Sequence, residues 1–123
     1  MAKENPLVFS GVAEADLTTK QYYVCKAGTG DNGIVLCGDG EFGYGIIRNK
    51  PDNAKAVEVA YAGVAKGVAG AKFAAGIKLS SDSSGKLITG TTGEYIIATS
   101  MEAAGADLDV VRVLVHSAGA RVP

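Results

Sequence analysis

Apolar and polar residues alternate with a period of two in several short runs, and glycine-rich polar segments separate the runs. This is the pattern of half-buried β-strands joined by turns. The clearest case is Gly76-Ile-Lys-Leu-Ser-Ser-Asp-Ser-Ser-Gly-Lys-Leu-Ile88. Ile77 and Leu79 alternate with Lys78 and Ser80, Ser81 to Gly85 supplies turn residues, and Leu87 and Ile88 begin a return strand. A glycine at position 85 suits a turn because it takes positive φ without steric cost. The stretch therefore predicts a β-hairpin. A looser version spans Gln21 to Leu36, turning through Ala27 to Gly33.

The likeness continues downstream. Gly43-Tyr-Gly-Ile-Ile47 follows the first hairpin and Glu94-Tyr-Ile-Ile-Ala98 the second. Each half closes on an alternating strand, Ala56 to Tyr61 in one and Leu108 to Val115 in the other. Leu17 and Phe73 are 56 positions apart, Gly33 and Gly85 52, and Val57 and Val111 54. The chain thus reads as two related β-units in tandem, about 17–61 and 71–115, within a single β-domain over 17–116 and followed by a polar tail, 117–123. Gly63 to Gly76 is too glycine-rich for a stable helix. It is expected to join the units as a short strand (Gly63 to Val68), a turn, and a helical turn around Ala71 to Ala75. Ala13 to Leu17 and Met101 to Asp107 each have room for one helical turn or a bend. The fold class is all-β, a small β-barrel or sandwich with at most one or two short helical turns.

Residues 1–16 read as an N-terminal arm. Pro6 disfavours helix at Asn5, and Leu7-Val-Phe9 is a short apolar run that requires burial. Two readings stand: a first edge strand of the domain, or an arm lying on another subunit, since strand addition uses a segment of this kind. Pro6, Leu7, Val8 and Phe9 are accordingly the candidate contact residues.

Composition narrows the function. The 123 residues suffice for one domain, burying roughly two-thirds of its unfolded surface. Tryptophan is absent and only three phenylalanines and five tyrosines occur, so the core is thin. Stability is expected to lean on backbone pairing or on contacts with other subunits. Twelve basic residues against thirteen acidic ones argue against a nucleic-acid-binding module, which carries a basic face. The same balance gives little self-repulsion, which suits a protein that assembles. Residues 1–6 lack the apolar core of a secretory signal, and no apolar run approaches bilayer length, so neither a membrane nor a secretory route is expected. Cys25 and Cys37 are the only cysteines. Pairing symmetric about Asp31 would set them opposite each other, where a disulfide is conceivable. Reduced, buried thiols are expected.

No catalytic set emerges. Gly28-Thr-Gly-Asp-Asn-Gly33 and Gly38-Asp-Gly-Glu-Phe-Gly43 both match G-x-G-x-x-G. The motif binds a pyrophosphate only when a helix starts within it, and strand-like residues follow both. They read as turn glycines. Asp31, Asn32 and Asp39 do not have the spacing of a calcium loop. His116 is the only histidine, which leaves no histidine metal cluster. Ser117 and Asp109 lie near it in sequence, without a nucleophile turn. The expectation is a non-enzyme with no catalytic residue, metal or cofactor.

The second unit carries a resemblance. Val64-Ala-Lys-Gly-Val-Ala-Gly70, Ala75-Gly-Ile-Lys-Leu79, Asp82-Ser-Ser-Gly-Lys-Leu87, Ala98-Thr-Ser-Met-Glu-Ala-Ala-Gly105 and Val111-Arg-Val-Leu114 resemble segments of the capsid decoration (head cement) proteins of tailed bacteriophages. The likeness covers about residues 16–115. The chain departs from the pattern at Ile96-Ile97-Ala98, which lacks a glycine before the alanine, and at Ile77, where a small acidic residue is usual. The resemblance implies a structural virion protein, made in the host cytoplasm, that binds the outer surface of the expanded capsid. It further implies the major capsid protein as partner, self-association as a homotrimer, and stabilisation by clamping neighbouring capsid subunits. Deleting residues 1–10 should then abolish capsid binding while the domain stays folded. Two alternatives are another small β virion component, such as a tail-tube or head–tail connector protein, and a ligand-binding β-barrel. The shortage of large aromatics and of histidine counts against the barrel.

Overall fold

Nine β-strands and no helix form among residues 5–123, the part of the chain described by this computed structural model. They are β1 (Asn5–Ala13), β2 (Val24–Ala27), β3 (Gly33–Leu36), β4 (Gly45–Ile47), β5 (Ala56–Val68), β6 (Lys78–Ser81), β7 (Leu87–Thr89), β8 (Ala98–Ser100) and β9 (Val110–His116). The all-β expectation holds. Glu14 to Asp16, Ala71 to Ala75 and Met101 to Asp107 are bends, turns and bridges rather than helical turns. Phe73 bridges to Ala104 within this irregular backbone.

The strands run in the order β1-β3-β2-β4-β5-β9-β8-β6-β7, and β1 also pairs with β5. That extra pairing closes β1, β3, β2, β4 and β5 into a ring. The other strands continue from β5, and a parallel bridge from Ala69 to Leu87 returns β7 to the end of β5. β5 is one 13-residue strand shared by both rings. The sequence reading divided it at Ala62, because Gly63 and Gly67 look like punctuation. Gly63 instead takes φ +92° and lets the strand continue, while Tyr61 has no partner in the β1–β5 register, which shifts between Leu7 and Val8. An extra residue of this kind bends the strand away from one ring and towards the next.

The two rings repeat each other in register. Val24 pairs with Ile46 and Ile46 with Ala60; Lys78 pairs with Thr99 and Thr99 with Leu114. Cys25 pairs with Leu36 as Leu79 pairs with Thr89. Against their neighbours, β1 and the second half of β5 also correspond: Gly11 pairs with Val57 and Gly67 with Val111.

The core follows the same duplication. One cluster holds Ala13, Leu17, Cys25, Ile34, Val57 and Val59. Their register counterparts, Ala69, Phe73, Leu79, Leu87, Val111 and Val113, belong to the second cluster. Ser100 takes the place of Ile47, and its hydroxyl donates to the Ala74 carbonyl and accepts from the Ile77 N–H. Val24, Cys37, Ile46, Ala60, Ile97 and Val115 also belong to the second cluster.

Cys25 and Cys37 do not face each other. The register is one residue from the symmetric one, with Leu36 opposite Cys25. A one-residue offset moves a side chain to the other face, and the two thiols lie free in different core clusters. Burial pushes the Cys25 thiol from its ordinary value near 9 up to about 12. A raised folded-state pKa favours the protonated thiol. Its contribution is whole below pH 9 and is lost as pH rises towards 12. Cys25 is therefore expected to resist alkylation at pH 8 in the native protein and to react on denaturation, which mass spectrometry reads directly. Native labelling at the denatured rate would contradict this burial.

Candidate functional site

β1 carries its apolar side chains onto the surface although its backbone is paired. Pro6 is half-buried, whereas Leu7, Val8 and Phe9 are 59 %, 43 % and 36 % exposed. Strand alternation divides them. Phe9, Gly11 and Ala13 share the face that leads into the first core, and Val8, Ser10 and Val12 share the outer face.

Phe9 opens onto a pocket of about 430 Å³. Its ring meets Tyr44 edge-on at 5.5 Å and lies tilted against Tyr61 at 5.7 Å. Gly11 and Ile34 form the floor, while Asn32, Ser10 and Ser117 supply neutral polar groups. Among the described residues, no charged side chain lines the pocket. Asn32 stands in a turn at φ +58°. That turn is tied to β1 by a hydrogen bond of 2.8 Å from the Val12 N–H to the Asn32 carbonyl. Tyr44 is placed by its N–H, which donates to the Cys25 carbonyl at 2.8 Å. The Ser117 hydroxyl donates to the Gly43 carbonyl and fixes the neighbouring rim. Beyond Phe42 the aromatic surface continues to Tyr95, 5.6 Å away edge-on, with the Arg121 guanidinium stacked 4.5 Å above the Tyr95 ring.

Sequence reasoning singled out Phe9 and missed its partners. The sequence reading places Phe42 among turn glycines, Tyr44 in the strand-like stretch after them, and Tyr61 at the end of a strand. The available signal was their isolation: each is a large aromatic at the boundary of a glycine-rich segment, where a thin core has no room for it. A second exposed apolar stripe lies on β9 and the turn before it, with Leu108, Val110 and Leu114.

The other candidates are placed as follows. His116 Nε2 lies 2.7 Å from the Thr99 hydroxyl, half-buried at the end of β9. Gly28 to Gly33 forms a turn whose Thr29 and Gly30 amides donate to the Glu14 carboxylate, holding its pKa below the ordinary value. Gly38 donates likewise to Glu41, whose carboxylate also pairs with Lys26 at 2.6 Å. Both glycine motifs are thus turns closed by the protein's own carboxylates. No group of three potential metal ligands occurs among the described residues. Nor is any described helix long and apolar enough to cross a membrane.

Comparison with known proteins adds two findings. A family model described as phage cement protein matches residues 5–115. The solved structure of the N base of head fiber gp8.5 of bacteriophage phi29 superposes with a TM-score of 0.72 at 14 % identity, covering 94 % of this chain and 98 % of that one. At this identity the likeness is one of fold. No curated protein matches the chain.

Proposed function

Because the chain belongs to the phage cement protein family, we propose that it binds the outer surface of the expanded phage capsid as a homotrimer and clamps neighbouring major capsid subunits together. The family is one of structural phage proteins, so the role is mechanical rather than catalytic. The observation that carries the proposal is the exposure of Leu7 and Val8 on a strand whose backbone is already held by β5. Apolar side chains on a rigid strand offer a surface that needs no ordering before it docks, which lowers the entropic cost of binding. Contacts of this kind are individually weak. Three copies in one assembly make each later contact nearly intramolecular, and the avidity stiffens the shell. Synthesis in the host cytoplasm and assembly onto the finished head complete the proposal.

The test is co-sedimentation with expanded and unexpanded heads of the source phage. Saturable binding to expanded heads alone is expected. Val8→Glu, on the outer face of β1, should weaken that binding by about ten-fold or more, as loss of an interface anchor does, while thermal unfolding stays near that of the parent. Undiminished binding by a folded Val8→Glu protein would remove β1 from the capsid contact. No binding by the parent to either head would move the protein to a tail or connector role.

A further inference from the structure

The contact that joins the two rings inside the chain has an unused copy of each half on the surface. In the first ring the pocket is built by Phe9, Gly11, Asn32, Ile34, Tyr44 and Tyr61. Register gives each a counterpart in the second ring. Gly11 and Gly67 pair with Val57 and Val111, and Ile34 and Leu87 pair in parallel with Ala13 and Ala69. Tyr44 and Ile97 donate their N–H groups to the equivalent carbonyls of Cys25 and Leu79. Phe9 and Tyr61 correspond likewise to Ala65 and Val115, and Asn32 to Gly85, both at positive φ. Every counterpart in the second ring is buried.

They are buried under the first ring. Val24 donates its N–H to the Gly85 carbonyl at 2.7 Å, and Ile46 reaches within 3.3 Å of the place a side chain on Gly67 would occupy. Val24, Ile46 and Ala60 form one row across β2, β4 and β5, and all three are fully buried. The same row in the second ring is Lys78, Thr99 and Leu114. Here Lys78 is exposed, Thr99 half-buried and Leu114 44 % exposed. One end of the molecule carries the exposed aromatic pocket, and the other carries the surface equivalent to the one that packs on the pocket's counterpart within the chain.

We infer that the aromatic pocket of one copy receives the Lys78–Thr99–Leu114 face of a second copy, repeating between chains the contact that Val24 and Ile46 make within the chain. This rests on the self-association proposed above and assigns its interface. The chemistry matches on both sides. Leu114 is an apolar group for an apolar floor. Lys78 presents a methylene stem and an ammonium to a wall of Phe9, Tyr44 and Tyr61, where the ring faces attract a cation. Among the described residues, the pocket lining carries no charge that would repel it. Such a contact joins two different surfaces and is heterologous, so it passes from copy to copy and closes into a trimer when the rotation between copies is a third of a turn.

The internal Val24–Gly85 contact predicts that Lys78 of one copy meets Asn32 of the next. Two proteins, one carrying Asn32→Cys and one carrying Lys78→Cys, are mixed and oxidised, free in solution and again bound to expanded heads. Ser10→Cys serves as a second pocket variant, because Asn32 holds a positive φ. The expected result is a covalent heterodimer from the mixture, in solution or on heads, with neither protein forming a dimer alone. Leu114→Asp should in addition weaken self-association, read by sedimentation velocity, by about ten-fold or more. A trimer that forms without the mixed crosslink overturns this contact and leaves trimerisation standing. Protein that remains monomeric in solution and uncrosslinked on heads overturns both. Crosslinking of the pocket cysteine to the capsid protein alone gives the pocket to the capsid and overturns the inference.

Discussion

Gly45→Ala is expected to destabilise the protein by about 3 kcal/mol or more, the range reached when backbone packing is broken. A β-carbon on Gly45 would stand 2.0 Å from the Ala60 carbonyl oxygen and 2.9 Å from its carbon. Both atoms are backbone, so no side-chain rotation relieves the overlap. β4 is only three residues long, and it links β2 to β5 through Cys25–Gly45, Val24–Ile46, Ile46–Ala60 and Ile47–Val59. Displacing it opens the first ring and exposes Ile46 and Ile47, both fully buried. Since domains of this size are stable by only about 5–15 kcal/mol, the variant is expected to lose much of its folded population at physiological temperature. Gly93→Ala is the control. Gly93 has φ +87° with nothing within 4 Å of an added β-carbon, so only the left-handed backbone penalty, about 1–2 kcal/mol, applies. Urea unfolding of the two variants separates the causes. Equal midpoints would mean that the close approach at Gly45 is relieved without cost.

Much of this architecture is legible in the sequence, and the unread parts have physical reasons. β9 announces itself because one face meets the core and the other is more open to solvent, which produces alternation, and the second hairpin because Lys78 and Leu79 alternate before a polar turn, although Ser80 is buried. The tandem repeat is legible for the same reason, and the 56-residue spacing of Leu17 and Phe73 matches their equivalent places in the two core clusters. β4 and β8 are harder to delimit, because three residues are too few to establish a period. The continuity of β5 was hidden by Gly63 and Gly67. One supplies a positive φ and the other makes room for Leu87 and Ile46. Glycine marks a turn and a close approach with the same letter. The cysteine register depended on one residue of loop length, which composition does not specify. The pocket joins Phe9, Tyr44 and Tyr61 from three separate segments, and only the closure of the ring brings them together. Leu7 and Val8 could be singled out by hydrophobicity alone, which does not say whether they point inward or outward.

Removal of residues 1–10 is expected to cost the fold, and this changes how a loss of capsid binding by such a protein should be understood. β1 pairs with β5 at eight positions, Asn5 to Val12 against Val64 to Ala56. The deletion takes six of these pairs and leaves Gly11 to Ala13 as a short link, holding Gly11–Val57 and Val12–Ala56 on the β5 side and Val12–Gly33 and Ala13–Ile34 on the β3 side. Gly11 packs against Ile34, and Ala13 belongs to the first core cluster. With most of β1 gone the ring hangs on this link, Val59 loses its partner Phe9, and Glu58 to Val64 of β5 become a free edge, a template for aggregation. The truncated protein should therefore show a broadened, non-cooperative thermal transition and bind a hydrophobic dye, whereas Val8→Glu should keep a sharp one. If the truncated protein melts cooperatively near the parent temperature, β1 is dispensable for the ring, and its loss of capsid binding can then be credited to lost contacts. If it melts as expected, only substitutions on the outer face of β1 separate docking from folding. Under the proposed function the same strand then serves two ends: its backbone and inner face close the first ring, and its outer face docks on the shell.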